Sequence, residues 1–221
     1  MDKIKDFFQL AGLRVYVFFW DVAEYCRVVF RYYRNPRFAK DDLALLLRYL
    51  LYSPFQISKH FLQGRGAGDL YTYGETPLTT MDMIAKWSEI STDDVVYELG
   101  CGRGRTCIWL HHFIGCRVVG VDYVPDYIRN AREVSKLDFR EEDMLDVDLS
   151  DATMIYLFEN SLNDAFIQKL CKRLPEGVKI VTVSYPLTDY DKKNFSVLKV
   201  CEGRFNWGKT EVYLQKKSAT R

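Results

Sequence analysis

The sequence predicts an α/β fold: a largely parallel sheet with helices on both faces, closed by an antiparallel hairpin and preceded by a helical segment. Three observations predict it. From residue 94 onward, apolar β-branched runs alternate with helical patterns: strand 94–100, helix 103–114, strand 117–122, helix 126–136, a short strand 138–141, strand 152–158, helix 162–173 and strand 178–184. That rhythm implies parallel strands joined by crossover helices. The chain then ends in two strands, 195–203 and 209–216, joined by a short turn through Asn206-Trp-Gly208, which is a hairpin and therefore antiparallel. Upstream, residues 4–34 contain no proline and no glycine other than Gly12, and read as helix.

From residue 14 onward in that first helix the charges fall at Arg14, Asp21, Glu24, Arg27, Arg31 and Arg34, along one narrow stripe. The remainder is a wide apolar, aromatic face that needs cover from the core, a second subunit or a lipid surface. Cover by protein is the expectation, with peripheral membrane contact as the other reading. Uncharged runs here, such as Val15 to Trp20, are far shorter than a membrane span. Between Arg27 and Lys40 there are five basic residues and no acidic one. A solvated helix face explains them, as does contact with acidic lipid, RNA or an acidic protein, and the sequence leaves these open.

Asn35-Pro36 breaks the pattern. Asp41 or Asp42 is expected to cap a short helix running through Leu51, and Ser53-Pro54 to start another that ends near Gly64. The flexible stretch Gln63-Gly-Arg-Gly-Ala-Gly68 is the natural boundary, giving an N-terminal helical region, 1–68, and a sheet domain, 69–221. A polar, aromatic stretch from Leu70 to Thr80 then feeds a helix to about Ile90, with Thr79 or Thr80 as its cap.

The totals fit this plan. A chain of 221 residues suits one core with an appendage, and a net charge of +1 gives no reason to favour nucleic acid over the whole surface. Six cysteines, at 26, 101, 107, 116, 171 and 201, show no Cys-x-x-Cys spacing, so no metal is expected and buried reduced thiols are. The start, Met1-Asp-Lys-Ile-Lys-Asp6, mixes both signs and reads as neither signal nor transit peptide, which makes the expected location cytoplasmic.

The chemistry concentrates in Val95-Val-Tyr-Glu-Leu-Gly-Cys-Gly-Arg-Gly-Arg-Thr106. This is strand, tight turn and helix, with Gly100, Gly102 and Gly104 removing every Cβ that would keep a ligand off the backbone. The spacing differs from the Gly-x-Gly-x-x-Gly of dinucleotide sites. Glu98, just ahead of the loop, suits the ammonium of an amino acid better than a phosphate and so points to S-adenosylmethionine. The loop alone leaves both cofactors open.

Ligands of such sheets bind outside the carboxyl ends of the strands. The second strand ends in Asp122, 18 residues after Gly104, where a carboxylate accepts both hydroxyls of a ribose. A helix N-cap before Pro125 is its plainer role. After the third strand, Asp143 can accept from an adenine amino group with Met144 backing the ring. The fourth ends in Tyr156-Leu-Phe-Glu-Asn-Ser161, where Phe158 would face the cofactor and Glu159 or Asn160 could orient an acceptor nitrogen. Tyr185-Pro186 follows the fifth strand, a usual place for residues on the substrate side; Phe158, Tyr185 and Tyr73 could line an aromatic channel.

Tyr73-Gly-Glu-Thr76, Glu98-Leu-Gly-Cys-Gly-Arg-Gly104, Asp122 and Glu142-Asp143 together resemble the non-SET, seven-strand lysine methyltransferases. That group includes the histone-lysine enzymes of the disruptor-of-telomeric-silencing type and related mitochondrial enzymes. The resemblance covers about residues 70–187 and implies a Rossmann-like methyltransferase sheet that uses S-adenosylmethionine. It also implies a loop, Tyr73, Glu75 and Thr76, folded over the cofactor, and a protein lysine as acceptor. The sequence departs from the family at Phe158-Glu159-Asn160, where an asparagine pair is typical, and this leaves the acceptor amino acid open. The Asn/Asp-Pro-Pro-aromatic turn of enzymes acting on adenine or glutamine is absent. Methylation of RNA or a small molecule is the alternative. A binding protein that keeps the fold without the chemistry is the reading from another class, and the intact acid and glycines count against it.

Overall fold

The computed structural model describes residues 2–70, 72–158 and 162–218; for residues 2–11 and 14 the backbone alone is described. Three helices come first: α1 (Asp2–Tyr32), α2 (Pro36–Arg48) and α3 (Pro54–Gly64). Then follow α4 (Leu78–Trp87), β1 (Val95–Leu99), α5 (Arg105–Phe113), β2 (Arg117–Asp122), α6 (Pro125–Val134), β3 (Asp138–Glu141), β4 (Met154–Leu157), α7 (Asp164–Arg173) and β5 (Lys179–Val183). The hairpin β6 (Phe195–Phe205) and β7 (Gly208–Lys217) closes the chain. Every strand expected from the sequence is present.

The seven strands form one sheet in the order β3-β2-β1-β4-β5-β7-β6. The first five pair in parallel, and β7 runs antiparallel to both β5 and β6. The order reverses between β1 and β4, so the loops after those two strands diverge and leave a crevice.

Successive side chains of a strand face opposite ways, so two layers form. On one side Val96, Val118, Met154 and Val181 meet Ile84 of α4, Ile108 and Trp109 of α5 and Ile128 of α6. On the other, Leu99, Val121, Ile155 and Ile180 meet Ile167 and Leu170 of α7, together with Met144, Val147 and Leu149.

The N-terminal helices pack on the first of these layers. Val28, Tyr32, Phe38 and Leu45 join its core, and the Tyr32 hydroxyl donates to Asp82 at 3.1 Å. Cover stops there. Leu13, Val15, Tyr16, Phe18, Phe19 and Val22 remain exposed, so the core buries only the later part of the apolar face of α1. Among the described residues no helix is long and apolar enough to cross a membrane.

Two capping expectations are corrected. Asn35, not Asp41 or Asp42, caps α2, accepting from the amides of Arg37 and Phe38, because Pro36 fixes the first helical turn. At α4 neither Thr79 nor Thr80 caps. Pro77 stands at the cap position, and Glu24 of α1 accepts from the Thr79 amide at 3.0 Å. A carboxylate from another helix thus meets the free amides and positive end of α4. The cysteines are reduced, and Cys101, Cys107, Cys116 and Cys171 are buried while Cys26 is exposed.

Candidate active site

The glycine loop turns back on the end of β2. The Gly100 and Cys101 amides both donate to the Val121 carbonyl, at 2.8 and 2.9 Å. Gly102 and Gly104 have φ of 53° and 75°, the left-handed region that side chains disfavour. Contact tightens the demand: a Cβ on Gly102 would lie 3.1 Å from the Tyr73 ring, and one on Gly104 would lie 2.4 Å from Phe139.

Asp122 braces this turn. One carboxylate oxygen accepts from the Gly102 amide at 2.8 Å and the other from the Val124 amide at 2.9 Å. Glu98 lies buried below, accepting from the Thr106 hydroxyl at 2.5 and 2.6 Å and from the Cys107 thiol at 3.0 Å. Burial pushes its carboxyl up to about 7, against those donors.

The segment before α4 folds over the loop. Tyr73 sits on Gly102, its ring edge-on to Phe55 at 5.1 Å, and its hydroxyl donates to Glu75. Arg103 donates to Glu75 at 2.7 Å. Burial would raise the Glu75 carboxyl, but the Arg103 guanidinium and the Tyr73 hydroxyl hold it below the usual carboxylate range. Thr76 shares a hydrogen bond of 2.5 Å with the Tyr156 hydroxyl of β4.

Two adjoining hollows result, with Tyr73, Gly74, Gly100, Gly102 and Phe158 as their common wall. Asp122 and Tyr127 line one; Glu75, Thr76, Glu98 and Thr106 line the other. The structure therefore gathers Tyr73, Glu75, Thr76, Glu98, Gly100, Gly102, Asp122 and Phe158 around one crevice, with Gly104 at the start of α5.

Three residues expected at the site are not among those that line the two hollows. The Asp143 carboxylate accepts from the Leu145 amide at 2.9 Å, making a local turn, and Met144 is buried in the opposite layer. Tyr185 packs on that same layer, its ring 5.8 Å from Tyr190. Thr182 donates to the Tyr185 carbonyl and Ser184 takes a φ of 76°, which turns the chain away after β5. Glu159 and Asn160 lie outside the described residues.

One contact was not anticipated. The hairpin turn carries Trp207 onto Phe158, stacked at 5.4 Å and 18°. An aromatic at a hairpin tip was the available signal.

Glu98 would suit an ammonium and Asp122 a ribose diol, and the close-lying Gly100–Gly104 backbone would admit the chain between them, so the residues present fit S-adenosylmethionine. The comparisons agree. Residues 98–194 match the ANTKMT methyltransferase domain family. A protein-lysine N-methyltransferase of Saccharolobus islandicus (strain REY15A) is 29% identical over 143 residues, covering 61% of this chain and 88% of that protein. An RNA methyltransferase from Salinibacter ruber, solved with S-adenosyl-L-homocysteine, superposes with a TM-score of 0.55 at 25% identity, over 67% of this chain and 96% of that one.

The chain is an S-adenosylmethionine-dependent methyltransferase built on a Rossmann-like sheet.

A tRNA methyltransferase of B. subtilis shares the methyltransferase's fold at 11% identity, with a TM-score of 0.52 over 63% of this chain and 65% of that one. In the methyltransferase the closing hairpin has a local use as well: it sets Trp207 and Phe205 against Phe158 at the crevice wall.

Proposed function

We propose that this methyltransferase modifies lysine side chains of protein. The observation that carries the reading is the likeness to the protein-lysine N-methyltransferase of S. islandicus across most of that protein's length. The bound cofactor would supply an electrophilic methyl group. Asp122 would hold its ribose, Glu98 its ammonium, and the Gly100–Gly104 backbone would let it lie close.

The protein's remaining work is alignment and desolvation. A lysine must give its proton to solvent before its nitrogen can attack, and an apolar wall favours the neutral amine. Phe158, backed by Trp207 and Phe205, supplies such a wall. The Tyr73–Glu75–Arg103 cluster would close over the cofactor and exclude water.

Transfer of radiolabelled methyl groups into cell extract, followed by separate protease and ribonuclease digestion, tests this. Label lost to protease and recovered as methyl-lysine is expected; label lost only to ribonuclease overturns the reading in favour of RNA.

The exposed apolar half of α1 supports a further contact, with a second copy of the chain or with a membrane surface. Light scattering and vesicle flotation of the protein, with and without Phe18→Ser and Phe19→Ser, separate the two. A mass that falls on substitution indicates a second copy, and flotation that is lost indicates lipid.

A further inference from the structure

A cavity between α1 and the crevice shares one wall with the cofactor site described above. Its inner end is formed by Glu75, Thr76, Arg103 and Arg105, of which all four also wall the crevice. Its outer walls come from α1, α3 and the hairpin turn: Trp20, Asp21, Tyr25, Phe55 and Asn206. It is thus a passage from the surface to the part of the crevice beside Glu98 and Thr76.

The charges along it are unequally satisfied. Both guanidiniums are paired, Arg103 with Glu75 and Arg105 with Asp42. Glu24 is occupied as well, accepting from the Thr79 amide and hydroxyl at the start of α4. Asp21 stands one helical turn before Glu24, on the same side of α1. Among the described residues it has no hydrogen-bond partner, and no cation pairs with it. Asp21 is exposed at the mouth of the cavity, and desolvation by the walls, with the neighbouring carboxylates of Glu75 and Glu24, raises its carboxyl. A surplus of negative charge therefore stands at the mouth of a cavity bordered by Trp20, Tyr25 and Phe55, and an alkylammonium suits both features, through the ion pair and through the ring faces.

We propose that this cavity is the passage by which the methyl acceptor enters and that Asp21 is the residue that docks the acceptor's cationic side chain. The inference rests on the lysine reading given above and assigns to α1 a direct part in substrate recognition. Asp21 is a positioning residue: it holds the charged form at the mouth, and the nitrogen sheds its proton as it passes inward to the apolar wall at Phe158.

The test uses the full chain with radiolabelled S-adenosylmethionine and extract protein as the acceptor, titrated to saturation, for the unchanged protein, Asp21→Asn and Asp21→Glu. Titration calorimetry with S-adenosylhomocysteine is run on each. For Asp21→Asn, the extract concentration giving half-maximal labelling should rise at least tenfold, with the saturated rate and the S-adenosylhomocysteine affinity within twofold. Asp21→Glu should restore most of the loss. If the unchanged protein labels lysine and Asp21→Asn does so with the same half-saturation, this inference falls and the lysine reading stands. If the saturated rate or the affinity falls with no change in half-saturation, Asp21 is structural and the inference also falls. If the unchanged protein labels no protein lysine, both are overturned.

Discussion

Arg105 donates two hydrogen bonds to Asp42, at 2.6 and 2.9 Å, joining the helix that follows the glycine loop to a helix sixty-three residues earlier. Tyr33 donates to the same carboxylate at 3.0 Å, and the Asp42 side chain is fully buried. Burial alone would raise the Asp42 carboxyl, but Arg105 and Tyr33 bring it below its ordinary value. The pair fixes α2 against α5 and with it the wall of the crevice.

Removing one member leaves the other charge buried and unpaired. Asp42→Ala should cost roughly 3–5 kcal/mol. Replacing both, as Asp42→Leu with Arg105→Met, should cost less than Asp42→Ala alone. Urea unfolding of the three proteins checks the order, and a double variant weaker than the single one would show that the pair is not what holds α2.

Asp122 braces the turn, and in the function proposed above it also accepts from the ribose of the cofactor. Asp122→Ala should weaken S-adenosylmethionine binding tenfold or more, the loss of charge-assisted bonds worth roughly 1.5–3 kcal/mol. Calorimetric affinity unchanged from the parent would leave Asp122 with the turn alone.

Glu98 makes a pH prediction. Its carboxyl ordinarily titrates near 4.5 and is pushed to about 7 in the fold, so between those values the folded chain holds a proton that the unfolded chain has released. Stability from this group is therefore lost as pH rises through that window, by roughly 3 kcal/mol in all. Glu98→Gln should lose less stability between about pH 5 and about pH 8 than the parent does. Parallel pH curves for the two proteins would contradict the assignment. An ammonium beside Glu98 favours the anion, so cofactor binding near neutral pH should release part of a proton. Calorimetry in buffers of differing ionisation enthalpy counts it, and Glu98→Gln should release none.

Gly104 carries both a left-handed backbone and a close approach to Phe139. Gly104→Ala should cost about 1–2 kcal/mol for the backbone and a further sum for the clash. Adding Phe139→Leu should relieve the clash and leave the backbone term, measured as a partial recovery of the urea midpoint. Full recovery, or none, would show that only one of the two terms operates.

The sheet was readable from sequence because its signals are local. Each strand is a short apolar run, each crossover helix has its own spacing, and Val95–Leu110 carries strand, turn and helix in one stretch. Glu98, Asp122 and Tyr73-Gly-Glu-Thr76 were readable for a related reason: they are fixed to strand ends or to the loop beside them, and strand ends meet at the crevice. Met144 and Tyr185 also follow strands, yet they turn to the far layer, and Asp143 closes a turn within its own loop, because which face a loop residue takes depends on its own backbone path, such as the turn at Ser184. Asp42 meeting Arg105, Glu24 capping α4 and Trp207 stacking on Phe158 pair residues many positions apart. No local pattern encodes such pairs. They exist because α1 and α2 pack across the face of the sheet that carries α4, α5 and α6, and because the closing hairpin brings its turn back to the end of β4, contacts that only packing can bring.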